Sequence, residues 1–363
     1  MKSYFLIIAT CLVLCTCNSS EGVEEPKSQA AIFRENQELE ALIGEKARAV
    51  FKPIVGPAES PDNPITKEKV DLGKVLYFDN RLSKDQKNSC NSCHNLSSFG
   101  VDNLPTSPGD AGKSGSRNSP SVFNAALHAS QFWDGRAKDV EEQAGLPILN
   151  PVEMAIPHEE FLIERISEIK MYQTLFRAAF PEDKNPVNYT NLKKAIGAFE
   201  RILITPSHFD DYLAGNSSAF SLEEKKGLKS FMDAGCITCH AGPLLGANLF
   251  QKFGLYGDYW QHTKSKVIDE GRFTLTALES DKYVFKVPSL RNVAKTAPYF
   301  HDGSVTSLDE SVRIMGVMNL GKELAEEEIK SIVTFLNSLT ADIPDDVKTP
   351  PTLLEKEFVV IRP

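Results

Sequence analysis

Two stretches of this chain, SCNSCH at 89–94 and GCITCH at 235–240, each carry a cysteine pair with two residues between and a histidine directly after. A Cys-x-x-Cys pair serves three chemistries: a redox dithiol, half of a zinc site, or covalent attachment of a c-type haem. The histidine discriminates among them. Haem attachment needs two thiols about one turn apart, to add to two vinyl groups on one porphyrin edge, and a nitrogen that reaches the iron from one face. A dithiol site has no use for that histidine, and a zinc site built from both pairs would leave two histidines over. The pattern therefore predicts two covalent haems, one on Cys90 and Cys93 and one on Cys236 and Cys239, with His94 and His240 as proximal iron ligands.

The remaining cysteines agree. Of seven, Cys11, Cys15 and Cys17 lie in the N-terminal leader and the other four are the haem pairs, so no thiol is left for a structural disulfide. The leader, MKSYFLIIATCLVLCTC, has one lysine and an apolar run from Tyr4 to Leu14, too short to span a bilayer and suited to the core of a signal peptide over 1–16. Export is expected, because c-type haem is attached outside the cytoplasm. The end LCTC resembles a lipoprotein signal with Cys17 as the lipidated residue, although Thr16 departs from the small residue usual before that cysteine; cleavage and release is the alternative. Residues 17–30, small, polar and acidic, read as a flexible tether. The expected location is the periplasm, with the chain anchored to a membrane only through that lipid.

A length of 363 residues accommodates two domains, one per motif, and the boundary is expected near 196–200. Apolar residues recur at helical spacing in RENQELEALIGEKARAVF (Leu39, Leu42, Ile43, Ala47), closed by Pro53. Helices are also predicted around EEFLIERISEI, YQTLFRAAF, NLKKAIGAFERILI and SLEEKKGLKSFMDAGC. The last opens with Ser221 and Glu224 in capping-box spacing. KELAEEEIKSIVTFLNSL places Ile329, Ile332, Val333, Leu336 and Leu339 on one stripe. A long loop of Gly, Ser, Asp and Pro spans 97–120, and no strong alternating strand pattern occurs. The net charge of −9 argues against a nucleic-acid partner.

Seven stretches in order, CNSCHNLSSFGVDNLPTS, RNSPSVFNAA, QFWDGRAKDVEEQA, NPVEM, GCITCH, VPSLRNVAKTAPYFHDGSV and IMGVMNLGKELAEEEIKSIVTFLNSL, give a chain that resembles the bacterial dihaem cytochrome c peroxidases over nearly its whole mature length. The resemblance implies a mainly α fold of two cytochrome c-like domains, an N-terminal peroxidatic haem domain at 31–198 and a C-terminal electron-transfer haem domain at 199–363. It implies a hydrogen peroxide substrate, a small cytochrome c or cupredoxin as electron donor, and commonly a homodimer. The C-terminal haem would keep Met315 as its second axial ligand, with Met318 the close competitor. A thioether stabilises ferrous iron and raises the potential.

At the N-terminal haem, Glu153 matches the family's distal acid–base residue, with Gln143 ordering the same pocket and Phe132 flanking it. Trp133 matches the tryptophan between the haems, and His301 a histidine involved in activation. One calcium ion would be held by Asn118 and the carbonyls of Thr296 and Pro298. Where many members carry a loop histidine that blocks the peroxidatic iron, TSPGDAGKSGSRNSP has Asp110, so this haem is expected to be open even when fully oxidised. His128 is the nearest alternative ligand in sequence, with a structural role expected. Two further readings stand beside the peroxidase. Relatives that oxidise a tryptophan-derived cofactor precursor on a partner protein replace the distal methionine with tyrosine, and Met315 argues against them; a dihaem electron carrier would lack the acid at Glu153.

Overall fold

The computed structural model of the protein describes Met1 and residues 28–354; the signal-peptide segment and most of the tether, including Cys17, lie outside the described residues. Fourteen α-helices, two short strands, seven single-turn 3₁₀ segments and a π-helical segment at Gly316–Leu320 account for the regular structure described. The N-terminal half contains α1 (Gln29–Val50), α2 (Lys67–Phe78), α3 (Cys90–Cys93), α4 (Val140–Leu149), α5 (Glu159–Ser167), α6 (Lys170–Ala179) and α7 (Tyr189–Glu200). The C-terminal half contains α8 (His208–Leu213), α9 (Leu222–Ala234), β1 (Phe250–Lys252), α10 (Tyr259–Thr263), α11 (Phe273–Thr276), β2 (Val284–Lys286), α12 (Leu308–Met315), α13 (Glu326–Ser338) and α14 (Asp345–Lys348). β1 and β2 pair antiparallel, with Gln251 opposite Phe285. The mainly helical fold expected of two cytochrome c-like units is therefore observed.

Each haem motif is held by the same device. α2 precedes the first motif and packs on α7; α9 precedes the second and packs on α13. Both crossings are close enough to require glycine: a Cβ at Gly73 would strike the carbonyl of Ala195, and one at Gly227 the carbonyl of Ser331. α9 starts from the predicted capping box, with Ser221 Oγ accepting from Glu224 N, and ends at Gly235 in the left-handed region, which turns the chain directly into Cys236.

Two apolar cores result. Leu72, Leu76, Ile148, Phe176, Leu192 and Ile196 belong to one; Phe209, Leu228, Phe231, Ile332, Phe335 and Leu336 to the other. The chain ends cross between them. Ile43, Ala47 and Phe51, placed by the sequence boundaries in the N-terminal unit, pack in the C-terminal core, while Leu354 packs in the N-terminal one. The helix over α1 also starts at Gln29, inside the stretch expected as tether, and Leu42 of its predicted stripe is exposed. Composition marks both cores as apolar but cannot say which terminal segment each one takes.

Candidate active site

A cavity of about 1600 Å³ lies between the two units. Its wall includes Cys90, Cys93 and His94 on one side and Gln143, Pro147, Asn150 and Glu153 on another, with Phe132, Trp133 and Lys286 completing it. α3 is a single turn that puts both thiols on the cavity side and delivers His94 as its C-cap. His94 Nδ1 lies 2.9 Å from the Pro120 carbonyl, and His240 Nδ1 lies 2.8 Å from the Leu245 carbonyl. A carbonyl can only accept, so each Nδ1 carries the proton and each Nε2 keeps a free lone pair. Burial holds both imidazoles below the ordinary histidine pKa and so neutral. This is how a protein prepares a histidine for iron: the second nitrogen fixes ring and tautomer.

The thiols fit haem attachment and not the alternatives. Burial pushes Cys90 far above the ordinary thiol range and Cys236 up to about 12, the reverse of an activated redox dithiol. Among the described residues no group of three or more His, Cys, Asp or Glu side chains converges on a metal site, so the two pairs do not assemble one zinc centre. Each Cys-x-x-Cys-His unit stands alone in its own half.

Glu153 follows α4 in a tight turn. Its Oε1 accepts from Asn150 Nδ2 at 2.9 Å. Burial raises its pKa, and the Arg136 guanidinium and the Asn150 bond pull the other way. Arg136 lies over the Phe132 ring, 3.4 Å from its centroid, which holds both at the mouth beside Glu153. Asn150 and Arg136 are site residues that sequence reasoning passed over, although both stand inside the quoted stretches NPVEM and QFWDGRAKDVEEQA. Gln143 also faces this cavity.

Asp110 does not face it. Its carboxylate, on a residue only 3% exposed, accepts from Ser83 Oγ at 2.8 Å, Asp85 N at 2.5 Å and Lys87 N at 3.0 Å. These hydrogen bonds, helped by the Lys87 charge, hold its pKa below the ordinary carboxylate range in spite of burial. Its own N–H donates to the Glu153 carbonyl at 2.7 Å, tying the loop to the turn that carries the candidate acid.

Trp133, His301 and Asn118 meet at the junction of the units. The Asn118 carbonyl accepts from Trp133 Nε1 at 2.9 Å, and its N–H donates to the His301 carbonyl at 2.7 Å. The His301 ring stacks on Phe285 with centroids 4.2 Å apart, and its Nε2 is buried without a hydrogen-bond partner. Asn118 Nδ2 is spent on the Leu104 carbonyl at 2.9 Å, which leaves Oδ1 as its free acceptor. Asn103 Nδ2 holds the Ala297 carbonyl at 2.8 Å, between the residues whose carbonyls were expected at a calcium ion. Neutral oxygens from an amide and two carbonyls suit that ion. Of the two candidate methionines, Met318 is fully buried among Tyr259, Val305 and Ile314, whereas Met315 ends α12 half-buried and outside that cluster.

Known proteins resemble this chain in sequence and in fold. Residues 67–218 match the family described as di-haem cytochrome c peroxidase. The chain is 47% identical over 306 residues to cytochrome c551 peroxidase of Pseudomonas aeruginosa, covering 83% of this chain and 87% of that protein. It is 43% identical over 290 residues to cytochrome c551 peroxidase of Nitrosomonas europaea, covering 78% and 84%. The crystal structure of a MauG-like protein associated with microbial copper homeostasis superposes with a TM-score of 0.74 at 29% identity, over 82% of this chain and 97% of the other.

Proposed function

We propose, for a chain that belongs to the di-haem cytochrome c peroxidase family and is thus a two-haem enzyme reducing hydrogen peroxide, that the N-terminal haem site performs the chemistry and the C-terminal site receives the electrons. When bound, the haem iron supplies the coordination site for peroxide and the one-electron steps. This chain's residues supply the protons. A carboxylate oxygen of Glu153 takes the proton from the near peroxide oxygen and returns it to the far one, which leaves as water. Two electrons and two further protons complete reduction to two waters. Asn150 orients the carboxylate, Arg136 and Phe132 shape the mouth, and Gln143 orders the distal side.

The observation that carries this reading is Glu153, half-buried and held by Asn150, in the wall of the cavity that His94 enters. The three donors on Asp110 support an iron that is open in the resting enzyme, because the carboxylate standing where a blocking histidine is common is already engaged elsewhere. Met315 would be the second protein ligand to the C-terminal haem iron, Trp133 and His301 would serve electron passage between the haems, and Asn118, Thr296 and Pro298 would hold one calcium ion. The donor is a small cytochrome c or cupredoxin met in the periplasm, by a chain anchored there through lipid on Cys17 and able to pair as a homodimer. Among the described residues no helix is long and apolar enough to cross a membrane.

Electron paramagnetic resonance and optical spectra of the oxidised holoprotein test the claim that the N-terminal iron is open in the resting enzyme. One high-spin haem whose signal is lost on adding peroxide is expected. Two low-spin haems inert to peroxide, one of them bis-histidine, would remove it.

A further inference from the structure

One buried cation in the cavity wall has no anion. Lys286 is 7% exposed; its ammonium donates to the Ser130 carbonyl at 2.7 Å and to His128 Nδ1 at 3.0 Å. The carboxylate whose charge acts on it, Asp134, is already bonded by Arg117 at 2.7 Å and by Arg136 at 3.1 Å. Burial accordingly brings Lys286 down to about 7. A buried ammonium without a counter-charge is costly, so something is expected to supply one.

His128 completes the site. An ammonium has no lone pair, so Nδ1 of His128 is the acceptor and the ring proton sits on Nε2. That Nε2 is sealed from solvent and has no hydrogen-bond partner. Burial and the Lys286 charge keep the ring neutral, which preserves this tautomer. Lys286 comes from β2 and His128 from the other half of the chain, and both line the cavity that Cys90, Cys93 and His94 open onto. The pair thus brings an ammonium and an imidazole with an unspent N–H to the wall of one space.

We propose that Lys286 and His128 together seat a peripheral carboxylate of the haem attached at Cys90 and Cys93. The anions that a c-type haem brings are its two propionate carboxylates, since its vinyl groups are consumed by the thiols. A carboxylate placed here satisfies the orphaned Nε2–H and keeps Lys286 charged through a charge-assisted hydrogen bond. It also ties the cofactor of the N-terminal unit to a strand of the C-terminal unit. A fixed positive charge close to the porphyrin favours the ferrous state, so the pair raises the potential of this haem. The inference rests on a haem filling this cavity and not on the assignment of Glu153.

The test is a spectroelectrochemical titration of holoprotein, with a pyridine haemochrome assay confirming two haems per chain in every sample. K286Q is expected to shift the N-terminal haem to lower potential and leave the C-terminal haem in place, and K286R to restore most of the shift. In wild type the N-terminal potential is expected to run without a break near pH 7, because a paired lysine stays charged there. An unchanged N-terminal potential in K286Q, or a shift confined to the C-terminal haem, overturns the proposal. So does a wild-type potential that drops as pH rises through about 7, the behaviour of an unpaired Lys286. If K286Q yields no holoprotein, the wild-type pH series decides alone. Peroxide turnover is not the readout, so failure of this seat and failure of the catalytic assignment are distinguishable.

Discussion

Replacing Asp110 with alanine separates two roles that a loop residue at this position can have. If the carboxylate is a structural acceptor, D110A strips the partner from Ser83 Oγ, Asp85 N and Lys87 N and leaves the iron untouched. Hydrogen bonds to a charged group contribute about 1.5–3 kcal/mol each, so three would total roughly 4.5–9 kcal/mol if they were additive and irreplaceable. They are neither: Asp85 and Lys87 have exposed side chains, so water can reach the freed N–H groups. A loss of about 2–4 kcal/mol is the realistic expectation. With a urea dependence of about 2 kcal/mol per molar, the N-terminal transition falls by roughly 1–2 M. It should be followed by a haem-specific signal, since the chain has two cores. The pH dependence has a definite sign. The pKa of Asp110 is depressed in the folded state, so its contribution is present above the ordinary carboxylate pKa and is lost as pH falls through the folded value. D110N should lack that acid-dependent loss. The haem spin state should match wild type in both variants. A D110A protein with an unchanged urea midpoint and an altered spin state would refute this reasoning and return Asp110 to the iron.

E153Q keeps the shape and the Asn150 contact but cannot exchange the proton; peroxide turnover with a reduced small cytochrome c is expected to fall about 10²–10⁴-fold at full haem content, and a fall under tenfold removes Glu153 from the chemistry. In wild type, kcat/KM for peroxide should rise with pH through a carboxylate pKa lying above the ordinary value, since burial raises Glu153 and only the ionised form accepts a proton; E153Q should lack that limb. M315L is expected to abolish the methionine-to-iron absorption band and lower the C-terminal potential, whereas M318L, a swap inside an apolar cluster, costs under about 1.5 kcal/mol and leaves the spectrum alone. The opposite pattern assigns the ligand to Met318. Calorimetric titration of chelator-treated holoprotein should find one calcium site that N118A weakens; identical binding in N118A moves the ion elsewhere.

What the sequence disclosed here was local and covalent. Cys-x-x-Cys-His names its own chemistry because attachment and ligation use consecutive residues, and α9 announces itself through Ser221 and Glu224, because a capping box is complete within four positions. Glu153 became readable only through the motif around it; nothing in its own identity separates it from a surface charge. What escaped depends on contacts across long stretches of chain. Lys286 meets His128 across 158 positions, and Arg117 reaches Asp269 across 152. Neither pair leaves a periodic trace, and the crossing of the chain ends between cores leaves none either. Asp110 shows the other limit: the sequence reveals that a histidine is missing, while its three partners at 83–87 emerge only when the loop is folded back.

The loop from 105 to 118 is where the two halves become one site. Asn118 spends its N–H on His301 and its carbonyl on Trp133, while Arg117 beside it grips Asp269 with two nitrogens, at 2.6 and 2.9 Å, and Asp134 at 2.7 Å. Partly buried bidentate pairs of this kind resist displacement, because removing one partner strands the other charge. The same loop carries Asp110, whose N–H is fixed to the Glu153 carbonyl. Any movement that brought this loop over the cavity would therefore have to break bonds on both sides of the molecule at once: to the acid's turn and the 83–87 segment in one half, and to Asp269 and His301 in the other. A chain with a blocking ligand on this loop needs it to travel between two positions. Here the side chain that could block is committed, and the anchors hold the loop where it leaves Glu153 facing the cavity. On the reading proposed here, readiness without prior reduction is the expected consequence of the same hydrogen bonds that fix the loop.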